Sequence, residues 1–504
     1  MSEQRPGSRA APDAPGRTKP AGGSRTADPA PVQPVPPGRV AADRLVAARA
    51  ALTAWLARPL TSFHLVLAVF GLLTTFGLVM VLSASSVQSF AEDGSSYVVF
   101  HRQLLYSLAG LAVFWIGLRI PLRLARRASL PLLIACLVLL VLVLTPLGSK
   151  INGARSWFTI GSLVSVQPSE AAKVAFALWG AHVLVAKRAV LHRWRHLLIP
   201  LVPMAVLMFG LVMLQPDLGT VITMVIILLA LLWFAGAPAA LFAVVLGGSA
   251  AGAFVLATVA EYRSDRLAAF LNPEIADPMD IGYQANQAMF SLADGGWWGV
   301  GLGQGRSKWL YLPNAHNDFI FAIIGEELGL IGCLVVLALF ATVVYVGMRI
   351  AARNTDPWHR LLAATLTTWL VGQAAINIGY VVGLLPVTGL PLPLISSGGT
   401  SLLVTMLTFG LLANLARHEA QAVSALQAHG QGRLARLLWL PLPQPYRPPP
   451  AGQGPPGRPG RSAAAPARDG SGTATRWTSA SSVHGAGTGR RVEPGVPDGR
   501  SRRW

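Results

Sequence analysis

Only two cysteines, Cys136 and Cys333, occur in the 504 residues, each inside an apolar run. That excludes a disulfide framework and a cysteine-based metal site. Charge is scarce as well: 12% of residues are Asp, Glu, Lys or Arg against 53% hydrophobic, and the mean hydropathy is +0.50. Soluble domains carry about 25% charged residues, so the chain reads as one polytopic membrane protein rather than several globular ones. Acidic residues are the scarcest, 22 against 41 basic, for a net charge of +19. Such a surplus would suggest a nucleic-acid partner were it spread over a folded domain. Instead about +5 falls in residues 1–60 and about +9 in 417–504, in Pro-, Gly- and Ala-rich tails without hydrophobic periodicity. Tails of that composition are expected to be disordered and drawn to an anionic cytoplasmic leaflet, with no nucleic acid implied. No short apolar run ending at a small-residue cleavage site precedes the first long span, which is expected to serve as an uncleaved signal anchor.

What the chain has in abundance is apolar runs of bilayer-spanning length, at about 61–82, 100–119, 129–147, 168–187, 197–214, 217–235, 238–259, 317–349, 361–385 and 400–416. They predict an all-α membrane domain of about ten helices over 61–418, flanked by disordered tails at 1–60 and 419–504. Lys and Arg collect in the connections 119–127, 187–195 and 349–360. With ten spans these fall on the same side as both termini, and the positive-inside rule makes that side the cytoplasm. The opposite side receives 83–99, 148–166, 261–316 and 386–399, which are rich in Gly, Asn, Asp and Trp. A connection of about fifty residues is long enough to be suspected of function.

The least membrane-like sequence at a membrane boundary is 311–329, YLPNAHNDFIFAIIGEELG. Pro313, Asn314 and Asn317 read as turn and cap residues, which puts Asp318 in the first turn of a helix reaching about Ile350. Glu326 and Glu327 follow about 12 to 14 Å deeper at 1.5 Å per residue, where a charge must face protein or a cavity, so one of them is expected to point into the bundle. The plainer reading of Asp318 is a cap that favours the helix dipole. Three carboxyls, His316 and two Asn in one short run favour a working site.

Other outer boundaries carry polar groups too. Arg155 and Trp157 precede a span opening Gln167-Pro-Ser-Glu170, and Glu170 and Lys173 share one helix face, as an ion pair or as part of a charged cavity. Gln215 and Asp217 occupy a sharp turn in which Asp217 either caps the next helix or faces the cavity. The run 299–308 is glycine-rich and cationic through Arg306 and Lys308. It lacks the Lys-Ser/Thr ending of a phosphate-binding loop, and reads either as an ordinary re-entrant loop or as amides and cations near a diphosphate. Two prolines and paired glycines in 388–401 predict a broken or re-entrant segment, tolerated at membrane depth only inside protein or beside a cavity. Polar sequence thus gathers on the outer side, and the working site is expected there.

With these motifs in order on a ten-span frame, the chain resembles the SEDS family of polytopic cell-wall proteins (shape, elongation, division and sporulation), most closely its division branch. The likeness covers about 61–418 and rests on 152–157 (NGARSW), 167–170 (QPSE) with Lys173, 215–220 (QPDLGT), 301–303 (GLG) with Lys308, 312–321 (LPNAHNDFIF) and 389–401. The sequence departs from the family pattern at Asn317, often Thr, and at Ser397, often aromatic; neither change removes a charge. The resemblance implies a peptidoglycan glycosyltransferase that polymerises lipid II, a disaccharide-pentapeptide on undecaprenyl diphosphate, at the outer face of the plasma membrane. It implies Asp318 as the catalytic residue and Glu170 and Lys173 as lining the same cavity. It also implies a class B penicillin-binding protein, a single-span transpeptidase, as partner.

A general base at Asp318 would take the proton of the acceptor hydroxyl. Arg155, Lys173, Arg306 and Lys308 are the cations available to the leaving diphosphate, with Trp157, His316, Gln215 and Asp217 placed as further substrate-binding candidates. A divalent cation, Mg or Mn, shared between a carboxylate and the phosphates is an optional addition; no metal motif of fixed spacing is present. Rival functions are a lipid II transporter, which predicts an internal repeat that the sequence does not display, the elongation paralogue of the same enzyme, and a non-catalytic division scaffold.

Overall fold

A computed structural model describes residues 37–446, apart from 152–153, 162–163, 192, 260–282, 310–311 and 313–314. The chain runs through α1 (Pro37–Ala57), α2 (Thr61–Asp93), α3 (Val98–Arg119) and α4 (Leu122–Val143). A small sheet follows, β1 (Ser149–Ile151), β2 (Ala154–Ile160) and β3 (Val164–Val166), antiparallel in the order β1-β2-β3. Then come α5 (Pro168–Ala186), α6 (Trp194–Leu198), α7 (Leu201–Met213), α8 (Leu218–Phe234), α9 (Ala239–Val259) and α10 (Tyr283–Gly295). The chain continues with α11 (Ile320–Arg353), α12 (Pro357–Val381), α13 (Thr400–Arg417), α14 (Ala420–His429) and α15 (Arg433–Leu437).

Local chemistry sets several of these boundaries. α2 stops at Gly94 in the left-handed conformation (φ 71°), whose N–H donates to the Phe90 carbonyl at 3.0 Å, a glycine C-cap. α12 starts with Asp356 accepting from the Trp358 N–H at 2.8 Å and Pro357 in its first turn, where a missing N–H costs nothing. α3 and α13 cross closely enough that a Cβ on Gly410 would lie 2.3 Å from the Phe114 carbonyl oxygen. Small residues permit such backbone approach between membrane helices.

Seven helices among the described residues are long and apolar enough to cross a membrane: α2, α3, α4, α6 with α7, α11, α12 and α13. The ten predicted spans each overlay a helix, and among the described residues seven helices meet that length and composition. α8 is apolar with only 17 residues. α5 is long enough, yet it contains Glu170, Lys173 and His182, and its Lys173 is wholly buried by neighbouring helices. A helix enclosed by protein has no need to be apolar throughout.

Three further differences from the sequence reading have clear causes. α2 runs eleven residues past the predicted end at 82, because Ser83, Ser85 and Ser89 turn toward protein and are buried there. The connection 148–166 is a sheet rather than a loop. Helices α1, α14 and α15 occupy parts of the segments expected to lack structure. α14 carries Ala422, Val423 and Leu426 on a buried face, so that stretch does have apolar surface to pack. Residues 1–36 and 447–504 of the tails, and 260–282 of the long connection, lie outside the described residues.

The arginine-rich connections meet at one end of the bundle. There Arg353 pairs with Glu419 at 3.9 Å, the Asn354 amide donates to the Leu415 carbonyl at 3.1 Å, and Arg126 lies 6.0 Å from the Trp358 ring centroid. The sheet, α10, and the described parts of 296–319 and 382–399 gather at the opposite end, so basic and polar loops are sorted as the alternation of spans predicts.

α11 is interrupted at Gly329, whose φ 66° and ψ −165° are not helical, a combination essentially reserved for glycine. Residues 296–301 fill the break: Val300 and Gly301 donate to the carbonyls of Glu326 and Glu327 at 2.9 and 3.0 Å, and Leu330 donates to Gly296 at 2.9 Å. A Cβ at position 329 would lie 2.4 Å from the Gly299 nitrogen. Gly329→Ala should therefore cost about 1–3 kcal/mol, read as a lower thermal midpoint of the detergent-purified protein. Gly71→Ala, with nothing within 4 Å of the added carbon, should leave it unchanged or slightly raised.

Candidate active site

Residues 388–399 carry little regular structure yet lie inside the protein, with Leu390, Leu392, Leu394, Ile395 and Ser396 all buried. Backbone groups in such a place must find partners in protein. The Gln373 amide donates to the Pro391 carbonyl at 2.9 Å, Ser396 Oγ accepts from the Leu392 N–H at 2.7 Å, and Gln103 Oε1 accepts from the Gly398 N–H at 3.2 Å. The Leu390 carbonyl is met by Asn377 Nδ2 at 2.7 Å and Tyr380 Oη at 2.8 Å. The same two groups lie 2.9 Å from the backbone carbonyl of Asp318.

This shared pair of donors explains where the helix begins. Capping residues predict Asp318 in the first turn of α11; it lies in the turn before it, and the N-cap is Phe319. Its carbonyl is drawn toward α12 by Asn377 and Tyr380, so the helical ladder opens one residue later, with Ala322 donating to the Phe319 carbonyl at 2.9 Å. The side chain is half-buried, and Oδ2 lies 3.7 Å from where a Cβ on Gly389 would sit. The absence of a side chain there leaves the carboxylate room. His316 is tied to the same segment, its carbonyl accepting from the Ser397 N–H at 3.0 Å. Burial pushes its imidazole below the ordinary histidine range, an effect that Glu92 partly offsets, and Nδ1 has no hydrogen-bond partner among the described residues. Pro313 and Asn314, read as turn residues, lie outside them.

Glu170 and Lys173 form an ion pair at 2.8 Å, with the Lys173 ammonium 5.2 Å from the Trp369 ring centroid. Trp369 shares a face of α12 with Gln373, Asn377 and Tyr380. Eight residues separate Trp369 from Asn377, about 12 Å of helix, so the pair sits deeper than Asp318 along one polar stripe. Asp217 caps α8 through the Thr220 N–H at 3.0 Å and Thr220 Oγ1 at 2.6 Å, and it also accepts from Gln167 Nε2 at 2.9 Å. It therefore fills the capping role and touches the α5 entrance as well. Gln215 is fully buried; its carbonyl accepts from Ser156 Oγ at 3.1 Å, which fastens the sheet to this turn. Arg155 and Trp157 stand on β2, half-buried, and Arg155 Nε has no hydrogen-bond partner among the described residues.

Glu326 and Glu327 are both buried, where the sequence predicts burial of one. Glu327 accepts from Ser83 Oγ at 2.6 and 2.8 Å and pairs with Lys308 at 3.1 Å. Glu326 Oε1 accepts the N–H groups of Arg306 and Ser307 at 2.5 and 3.1 Å. Lys308 also donates to the Gly303 carbonyl at 2.6 Å. The glycine-rich run is thus wound around two carboxylates of α11, with Arg306 exposed beside it. Among the described residues no three His, Cys, Asp or Glu side chains come together as a metal site.

Asp318, His316 and Gly389 are therefore together, with the Glu170–Lys173 pair deeper on the same stripe, while Lys308 is committed to Glu327. Sequence reasoning missed Ser83, Gln103, Gln373, Asn377 and Tyr380. The signal for the last three was the spacing of polar groups at i, i+4 and i+7 in an otherwise apolar span.

Known proteins share this arrangement of helices. The family profile FtsW/RodA/SpoVE, described as "Cell cycle protein", matches residues 63–421. The chain is 56% identical over 397 residues to the "Probable peptidoglycan glycosyltransferase FtsW" of Mycobacterium tuberculosis, covering 79% of this chain and 75% of that one. It is 39% identical over 350 residues to "Stage V sporulation protein E" of Bacillus subtilis, covering 69% and 95%. Among solved structures it resembles a chain from work titled "Structural coordination of polymerization and crosslinking by a peptidoglycan synthase complex" (TM-score 0.59, 28% identity, 73% of this chain and 100% of that one). It also resembles the Thermus thermophilus rod shape determining protein RodA (TM-score 0.52, 26% identity, 73% and 99%).

The Glu327–Lys308 pair gives a direct check on the wound loop. Lys308→Met leaves a buried carboxylate without its cation, a loss of about 3–5 kcal/mol, visible as a much lower thermal midpoint. Lys308→Met with Glu327→Leu should regain most of that loss; equal destabilisation of single and double variants would show that the two side chains are not coupled.

Proposed function

The chain belongs to the FtsW/RodA/SpoVE family of cell cycle proteins, and from that premise we propose that it is a peptidoglycan glycosyltransferase polymerising lipid II during cell division. The 56% identity to FtsW-named relatives, against 26% to the rod shape protein, supports division over the elongation role. The plasma membrane is the place where such an enzyme works, with both termini in the cytoplasm, the polar end of the bundle outside and the septum as its station. A transporter or scaffold reading has no comparable support.

The observation that carries the chemistry is the half-buried Asp318 carboxylate beside Gly389, on a backbone fastened to α12. Asp318 is the general base. It accepts the proton of the acceptor sugar hydroxyl as that oxygen attacks the anomeric carbon of the donor, and the bond from that carbon to the lipid diphosphate breaks. Attack opposite the leaving group inverts the centre, so an alpha-linked donor yields a beta-linked glycan. Of the four cations available to the leaving diphosphate, Lys173 and Lys308 are held by Glu170 and Glu327. Arg155 and Arg306 have no ion pair among the described residues and are the better placed to meet phosphate oxygens. Were a divalent cation bound, Asp318 would be the residue to hold it, and it would supply positive charge to the leaving diphosphate. The similarity to a chain of a complex that coordinates polymerization and crosslinking supports a crosslinking partner, which we take to be a class B penicillin-binding protein.

Asp318→Asn keeps the shape and removes the base. Purified protein with this change should polymerise lipid II at least about a hundredfold more slowly, assayed by the glycan products with the transpeptidase present. Polymerisation at the parent rate would overturn the assignment.

A further inference from the structure

At the arginine-rich end of the bundle, far from Asp318 along the chain's helices, a cavity of about 420 Å³ opens between the ends of α5, α8, α11 and α12. Its walls are apolar, among them Leu184, Phe234, Met348 and Ala352, and two guanidinium groups, Arg188 and Arg360, stand at its rim. Both arginines are exposed, and neither makes an ion pair or side-chain hydrogen bond among the described residues. The carboxylates nearby are engaged elsewhere: Asp356 caps the Trp358 N–H at 2.8 Å and Glu419 faces Arg353 at 3.9 Å. No Asp or Glu lines the cavity.

We propose that this cavity binds one anionic phospholipid of the inner leaflet, with an acyl chain against the apolar walls and the phosphate between Arg188 and Arg360. An apolar recess at membrane depth fills with hydrocarbon at no dehydration cost. Two unpaired cations at its mouth select the charge of the headgroup, as basic pockets between membrane helices on the cytoplasmic side do. Arginine suits the task because its planar donors match phosphate oxygens. The placement in the inner leaflet rests on the orientation read from the distribution of Lys and Arg; the headgroup charge does not.

The test uses full-chain protein in detergent, offered equal amounts of phosphatidylglycerol and phosphatidylcholine, with the lipid retained on the protein read by native mass spectrometry. Phosphatidylglycerol should be retained preferentially as a single tight adduct. Arg188→Gln with Arg360→Gln should weaken that adduct about thirtyfold, and Ala352→Trp, which fills the mouth from an exposed position, should weaken it as well. Equal retention of phosphatidylcholine would overturn the proposal, as would an adduct unaffected by the paired arginine changes or by Ala352→Trp. Displacement of the lipid by inorganic phosphate at matched concentration would overturn it too, because the acyl chain would then contribute nothing.

Discussion

Two backbone carbonyls, those of Asp318 and Leu390, share one pair of donors on α12. Asn377 brings two amide hydrogens and Tyr380 one hydroxyl hydrogen. The acceptors within reach are the two carbonyls and the Tyr380 oxygen itself, 2.7 Å from Asn377 Nδ2. Three hydrogens meet three acceptors; the two Asn377 hydrogens alone could serve both carbonyls, whereas without Asn377 the single Tyr380 hydrogen would face two. In the interior of a membrane protein no water stands by to replace a lost donor. One pair of side chains thus fastens both the re-entrant segment and the backbone of Asp318, and this holds the Asp318 carboxylate beside Gly389.

The charged groups follow a second constraint. A cation or carboxylate buried at this depth is tolerated when paired or hydrogen-bonded: Lys173 pairs with Glu170 and Lys308 with Glu327, which also accepts from Ser83, while Glu326 accepts the N–H groups of Arg306 and Ser307. These pairs hold α5 at the foot of the polar stripe and bind the glycine-rich run into the break at Gly329. Their charges are largely consumed by structure. The positive charge left for a phosphate is the more exposed kind, Arg155 and Arg306 at the polar end and Arg188 and Arg360 at the other. The same logic thus separates residues that build the molecule from residues free to meet a ligand.

Much of this is legible in the sequence, and the exceptions have physical causes. Apolar runs locate the helices because lipid leaves few alternatives to them. The charge of the loops sorts the two ends, and prolines with paired glycines in 388–401 mark the re-entrant segment. The end of α2 is hidden because its serines look like loop residues until Ser83 is seen bonded to Glu327 and Ser85 and Ser89 are seen buried. Lys308 looks like a free cation because its partner lies nineteen residues away, across a turn. Asp318 falls one step too far into its helix, since local capping rules contain nothing about a donor pair on another span. Asn377 and Tyr380 escape notice because each alone is an ordinary polar residue in an apolar helix, and only their common partners give them meaning.

The direct test of this account is Asn377→Leu, which removes both amide hydrogens and leaves the Tyr380 hydroxyl alone to serve two carbonyls. Lipid II polymerisation by the purified variant should fall at least about tenfold in kcat with little change in KM, as expected when a catalytic group is displaced while substrate affinity is left intact, and the protein should remain folded and monodisperse. An unchanged kcat, with one hydroxyl hydrogen left for two carbonyls, would contradict the claim that this clamp positions the carboxylate proposed as the base.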